Sequence, residues 1–168
     1  MKKVFRVIDA ISDRTGHTVQ WLSVALVGII CFETILHIFN RSTLWEYETV
    51  GMIGATMYAL SFAYVLCHKM NVRVDVIFTR LPRRAQAAID GIGMLVAFFP
   101  LMGLATYSSI KLALNSWIIN EKSAVTGWYP PAAPLRTIIA IGFVLLLLQG
   151  VVVCVRELYY LIRNKTYE

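Results

Sequence analysis

Glu33 and His37 stand one helical turn apart, so a helix would present a carboxylate and an imidazole on one face. That pair could hold a proton or a cation. It is embedded in an apolar run, and an ionised carboxylate deep in hydrocarbon costs about 2.5–3.5 kcal/mol on insertion scales. Glu33 must therefore face protein or water, or carry a proton. Two readings stand: a proton or cation site, or a polar contact to a partner helix with His37 near the outer interface. The second is preferred. Gln149, in a later apolar run, suits a hydrogen bond to a neighbouring helix.

Other chemistries find little support. Cys31, Cys67 and Cys154 form no CxxC and no disulfide framework, and read as small packing residues. A haem needs axial ligands on opposite faces of one porphyrin. His37 and His68 fall at opposite ends of their spans, and His17 opens a helix beside basic residues. No nucleophile–base pair, phosphate-binding loop or metal cluster is visible. The chain reads as no enzyme, with no cofactor and no metal.

The elements that must carry these residues are four long apolar stretches, at 18–39, 47–67, 89–114 and 135–155. A bilayer core of ~30 Å takes about 20 helical residues, so each can cross it. The chain has 168 residues, 58% of them hydrophobic, and the apolar runs are nearly continuous rather than striped. The expected fold is all-α, an integral membrane four-helix bundle forming one membrane domain.

A net charge of +6 raises nucleic-acid binding as one reading and membrane topology as the other. The distribution decides for topology. Lys2, Lys3, Arg6 and Arg14 precede the first span. Lys69, Arg73, Arg80, Arg83 and Arg84 lie between the second and third. Arg156, Arg163 and Lys165 follow the fourth. The other connections hold only Arg41, Lys111, Lys122 and Arg136. The positive-inside rule then puts both termini and the middle loop in the cytoplasm.

Residues 1–16 place Val4, Ile8 and Ile11 on one face and are expected to lie along the cytoplasmic surface as an amphipathic helix, uncleaved. Residues 70–88 bring Val74, Ile77, Phe78 and Leu81 together, with Arg73, Arg80 and Arg84 on another face. They are expected to form a second interfacial helix, or else an irregular basic loop. Pro100 should kink the third span, and Pro134 should open the fourth.

Residues 32–48 read FETILHIFNRSTLWEYE, 68–84 read HKMNVRVDVIFTRLPRR, and 123–136 read SAVTGWYPPAAPLR, before a helix containing LLLLQG. This ordered set resembles the small membrane subunit, the DctQ-like family, of tripartite ATP-independent periplasmic (TRAP) transporters over nearly the whole chain. The resemblance implies a bacterial inner-membrane subunit in a Na⁺-driven symport complex. A large polytopic membrane subunit would carry the substrate and Na⁺ sites and move by an elevator mechanism. A periplasmic substrate-binding protein would dock on the outer face and deliver an organic acid. This subunit would brace the large one among the membrane lipids. On that view Trp45, Glu48 and loop 127–131 face the periplasm, while Arg73 and Asp75 orient the inner edge. The bland readings are an interfacial anchor for Trp45 and a local surface pair for Arg73 and Asp75. The family often carries arginine where His37 stands, so that contact would lack a permanent charge here. The competing function is a small four-helix proton-coupled exporter working through Glu33. The long loops and basic extensions speak against it.

Overall fold

A computed structural model describes residues 2–39, 41, 43–68 and 82–163. Among the described residues, five α-helices follow one another: α1 (Lys2–Ile38), α2 (Glu46–Cys67), α3 (Arg83–Gly93), α4 (Phe99–Ile118) and α5 (Ala133–Arg163). A π-helical turn at Met94–Phe98 joins α3 to α4 without a break. The stretches long and apolar enough to cross a membrane are Lys3–Ile38, Glu46–Cys67, Gly91–Ile118 and Ala133–Tyr159. The fold is the expected all-α membrane architecture. Arg73, Asp75 and most of the helix expected over 70–88 lie outside the described residues.

Residues 1–16 and the first span were expected as two helices. The 37 residues of α1 form one. At 1.5 Å per residue it is about 55 Å long, well beyond a ~30 Å hydrocarbon core. Nothing interrupts it: it contains no proline, and its hydroxyl side chains do not compete with the backbone ladder. Thr15, Thr18 and Thr34 each donate to the carbonyl four residues back, at 2.7–2.9 Å. A hydroxyl bonded this way needs no water inside an apolar span.

The disturbance expected at Pro100 takes the form of the π-helical turn just before it. Pro100 has no N–H to give, and its ring crowds the carbonyl of Val96. Widening the turn, with the Phe99 N–H donating to the Met94 carbonyl, moves that carbonyl aside. The same turn lays Phe98 over Gly150 of α5, where a Cβ would collide with the ring. Pro134 stands in the first turn of α5, as its missing N–H allows.

The spatial order is α1, α2, α5, α4. α2 packs between α1 and α5, α4 packs chiefly on α5, and α3 also leans on α5. α5 is the central element. In its most apolar stretch 44% of residues are buried, against 6%, 17% and 11% in the first three spans. Leu66 of α2 meets Leu146 and Val153 of α5, with Met94, Phe98, Met102 and Phe143 packed around them. The other helices keep broad apolar faces exposed, as suits helices able to cross a membrane.

Candidate functional site

Polar side chains gather at the two ends of the helices. One end, the terminal end, carries the start of α1 and the end of α5, and the other carries the α1–α2 and α4–α5 loops. At the terminal end, Asp9 and Ser12 lie one turn apart on α1, facing Gln149 and Arg156 two turns apart on α5. Asp9 accepts from Arg156 Nη2 at 2.5 Å and from Gln149 Nε2 at 2.9 Å. Ser12 Oγ donates to Gln149 Oε1 at 2.9 Å. Gln149 is fully buried, so both halves of its amide must be satisfied, and both are. The thiol of Cys67 on α2 points at Asp9 Oδ1 from 3.7 Å. The expected neighbour-helix bond of Gln149 is therefore present, and its partners belong to this chain.

Beside that cluster, Asp13 lies between two histidines. His17 Nε2 is 3.8 Å from Asp13 Oδ1 and His68 Nε2 is 3.5 Å from it. Tyr64 stacks against His68 with ring centroids 4.3 Å apart. His68 and His37 stand at opposite ends of the α1–α2 pair, and His37 is exposed.

At the loop end, carboxylates tie loops to helices. Glu33 is 5% exposed, and it is neither free nor aimed at another helix. It accepts from the backbone N–H of Thr43 at 2.6 Å and from its hydroxyl at 2.9 Å. The preferred expectation of a partner-helix contact gives way to a loop clasp within the chain. The reason is local: the chain turns back within a few residues of Ile38, bringing Thr43 over the last turns of α1. Glu48 does the same for the long loop, accepting from the N–H and hydroxyl of Thr126 at 2.6 and 2.7 Å. Its other oxygen, Oε2, is buried without a hydrogen-bond partner among the described residues. Arg136 on α5 makes a two-pronged ion pair with Glu121 and also donates to Ser116 Oγ at 2.7 Å. Trp45 is half-buried beside the first turn of α2, where its carbonyl takes the hydroxyl of Thr49 at 2.7 Å.

The loop from Ile119 to Ala132 folds back on itself. Ser123 donates to the Pro130 carbonyl at 2.8 Å and Ala132 to that of Glu121 at 2.9 Å. Asn120 turns the chain with φ 48°, a left-handed value that asparagine tolerates. A cavity of about 480 Å³ opens here, lined in part by Tyr47, Glu48, Lys122 and Arg136. Replacing Glu48 with alanine should strand both Thr126 groups and free this loop. The expected loss is about 1–3 kcal/mol, read as a lower Tm of the purified protein and faster proteolysis within the loop. Glu48→Gln keeps an acceptor and should lose less.

Asp9, Ser12, Glu121 and Arg136 were not singled out from the sequence. The spacings Asp9–Ser12 and Gln149–Arg156 were a usable signal, since each pair shares a face. Nothing in the sequence said that these two faces meet. Among the described residues, no group of three His, Cys, Asp or Glu side chains is arranged to hold a metal ion.

Residues 26–159 match the family model of the tripartite ATP-independent periplasmic transporters, DctQ component. No curated protein and no solved structure matches the chain. The family match runs from within α1 to near the end of α5, and so takes in the last part of the first crossing stretch and the whole of the other three. With four helices able to cross a membrane, and with polar groups that clasp loops and join helices, the chain belongs to the DctQ family, the small membrane component of TRAP transporters.

Proposed function

We propose that the chain braces the large membrane subunit of its transporter in the bacterial inner membrane. On this reading Na⁺-driven, binding-protein-dependent uptake of an organic acid proceeds through the large subunit. Both termini face the cytoplasm and the loop end faces the periplasm, where it forms part of the binding protein's docking surface. The segregation of basic residues to the terminal end and the middle loop supports that orientation. Trp45, Glu48 and the loop clasped by Glu48 then lie at the outer face. Arg73 and Asp75 lie at the inner edge.

The observation that carries the reading is the state of Glu33. A carboxylate that exchanges protons for cargo must be accessible and free to change partners. Glu33 is buried and holds two donors of Thr43. That engagement favours a brace over a proton-coupled exporter.

The test is co-expression with the larger membrane protein encoded beside it, followed by Na⁺-driven uptake of a panel of carboxylic acids in proteoliposomes. The complete complex with its binding protein should transport, and omission of this chain should abolish or sharply reduce uptake. If this chain alone drives solute flux, and Glu33→Gln stops it, the brace reading is wrong.

A further inference from the structure

The face of α4 turned away from α5 carries a polar stripe. α4 packs on α5 through Met102, Thr106, Ala113 and Ser116. At about 100° per residue, Lys111 lies roughly 140–160° around the helix from Thr106, Ala113 and Ser116. Ser108 and Asn115 share its face at i−3 and i+4. All three are exposed. None of their side chains makes a hydrogen bond or ion pair among the described residues. Several other helical hydroxyls, those of Thr34, Ser61, Thr106 and Thr137, return to a backbone carbonyl. Bulky apolar neighbours, Leu104 at 71% exposure and Ile118 at 78%, surround the stripe.

Lys111 stands near the outer end of the apolar stretch 89–114. The structure places it seven residues inside α4, about 10 Å from the helix end. Cα–Cβ bonds tilt toward a helix N-terminus, so the stem of Lys111 sets out away from the loop end. Snorkelling to the nearer surface works against that tilt. An ammonium held there calls for an anion at the same depth. Beside the stripe runs an apolar groove of about 310 Å³ between α4 and α5, bordered by Ile110, Leu114, Ala140 and Val144. Its floor includes Ala113 and Ala140, small enough to admit a side chain from outside. The outward face of α1 carries no charged side chain within its apolar stretch: Trp21, Val24, Val27 and Ile35 suit lipid, and its polar residues there include Gln20 and Ser23, whose hydroxyl donates to the Gln20 carbonyl.

We infer that the outward face of α4 is where the large membrane subunit docks, through a transmembrane helix whose carboxylate meets Lys111 and whose apolar side chains enter the α4–α5 groove. The inference rests on the reading of this chain as a subunit of a larger complex, and it names the face.

The experiment uses the full chain co-expressed with the large subunit, with a benzophenone amino acid at Ser108 or Asn115 on α4 and at Val24 or Val27 on α1. Irradiation should join the two subunits from the α4 positions and not from α1. Lys111→Ala should lower the large subunit recovered with this chain about tenfold, while Lys111→Arg retains it. Co-purification with cross-links only from α1, or from neither helix, overturns the inference and leaves the brace reading standing. A wild-type chain that recovers no large subunit overturns both. If Lys111→Ala spares complex yield but strips an anionic phospholipid, measured by mass spectrometry, the ammonium serves a lipid headgroup and the inference fails.

Discussion

Gly142→Ala should separate the two central helices and produce the largest single loss of stability available in the spans. Gly142 on α5 faces the backbone of α2. A Cβ there would stand 2.5 Å from the carbonyl oxygen of Ala59, 2.8 Å from its carbonyl carbon and 3.1 Å from its Cβ. None of these atoms is the end of a flexible side chain, so one helix must move. Helices in lipid gain little from apolar burial alone and depend on close approach at small residues. Forcing a gap here therefore weakens contacts along much of the α2–α5 seam. Overpacking costs typically 1–3 kcal/mol, and the rigidity of both backbones puts this case at about 3. The measurement is the Tm of the purified protein in detergent, with Gly28→Ala as control. Nothing lies within 4 Å of a Cβ at Gly28, so its replacement should be neutral or slightly stabilising, as removing a mid-helix glycine usually is. An unchanged Tm for Gly142→Ala would mean that the α2–α5 spacing is not set by backbone approach.

Asp9→Ala should detach the first part of α1 from α5. Asp9 is the common acceptor for Arg156 and Gln149, so its loss leaves a guanidinium and a buried amide short of a partner. Breaking a fully buried pair costs about 3–5 kcal/mol. Here the side chains of Asp9 and Arg156 are 23% and 36% exposed, and solvent screening lowers the expectation to about 2 kcal/mol. The check is a double-mutant cycle on Asp9→Ala and Arg156→Ala, read as Tm. The pair should lose clearly less together than the sum of the single losses. Strict additivity would show that the two groups do not depend on each other. The exchange Asp9→Arg with Arg156→Asp should recover part of the loss, while Gln149 keeps it incomplete.

These two cases mark different depths of legibility. The crossing helices were readable because hydrophobicity acts residue by residue: about 20 apolar residues dictate a span whatever packs beside it. Pro100 was readable as a disturbance because a missing N–H is a local fact, although the π-helical turn that absorbs it was not. The continuity of α1 through residue 16 was missed, since charged and polar residues there resemble a boundary while remaining good helix formers. Glu33 was recognised as costly in lipid, but its use was not foreseen. Its partner, Thr43, lies ten positions on, across a turn whose geometry the sequence does not state.

By itself the sequence determined that this is a membrane protein with four crossing helices, a lopsided distribution of basic charge and the motifs of one family. Each of those properties belongs to a short stretch of chain or to its order. Only the tertiary structure decided that α5 lies at the centre, that Ser12 meets Gln149 from 137 positions away, and that Lys111 looks away from the rest of the bundle. The physical reason is that insertion into lipid is a sum over local composition, whereas the choice of neighbours depends on which helical faces can approach closely enough to satisfy every buried polar group at once.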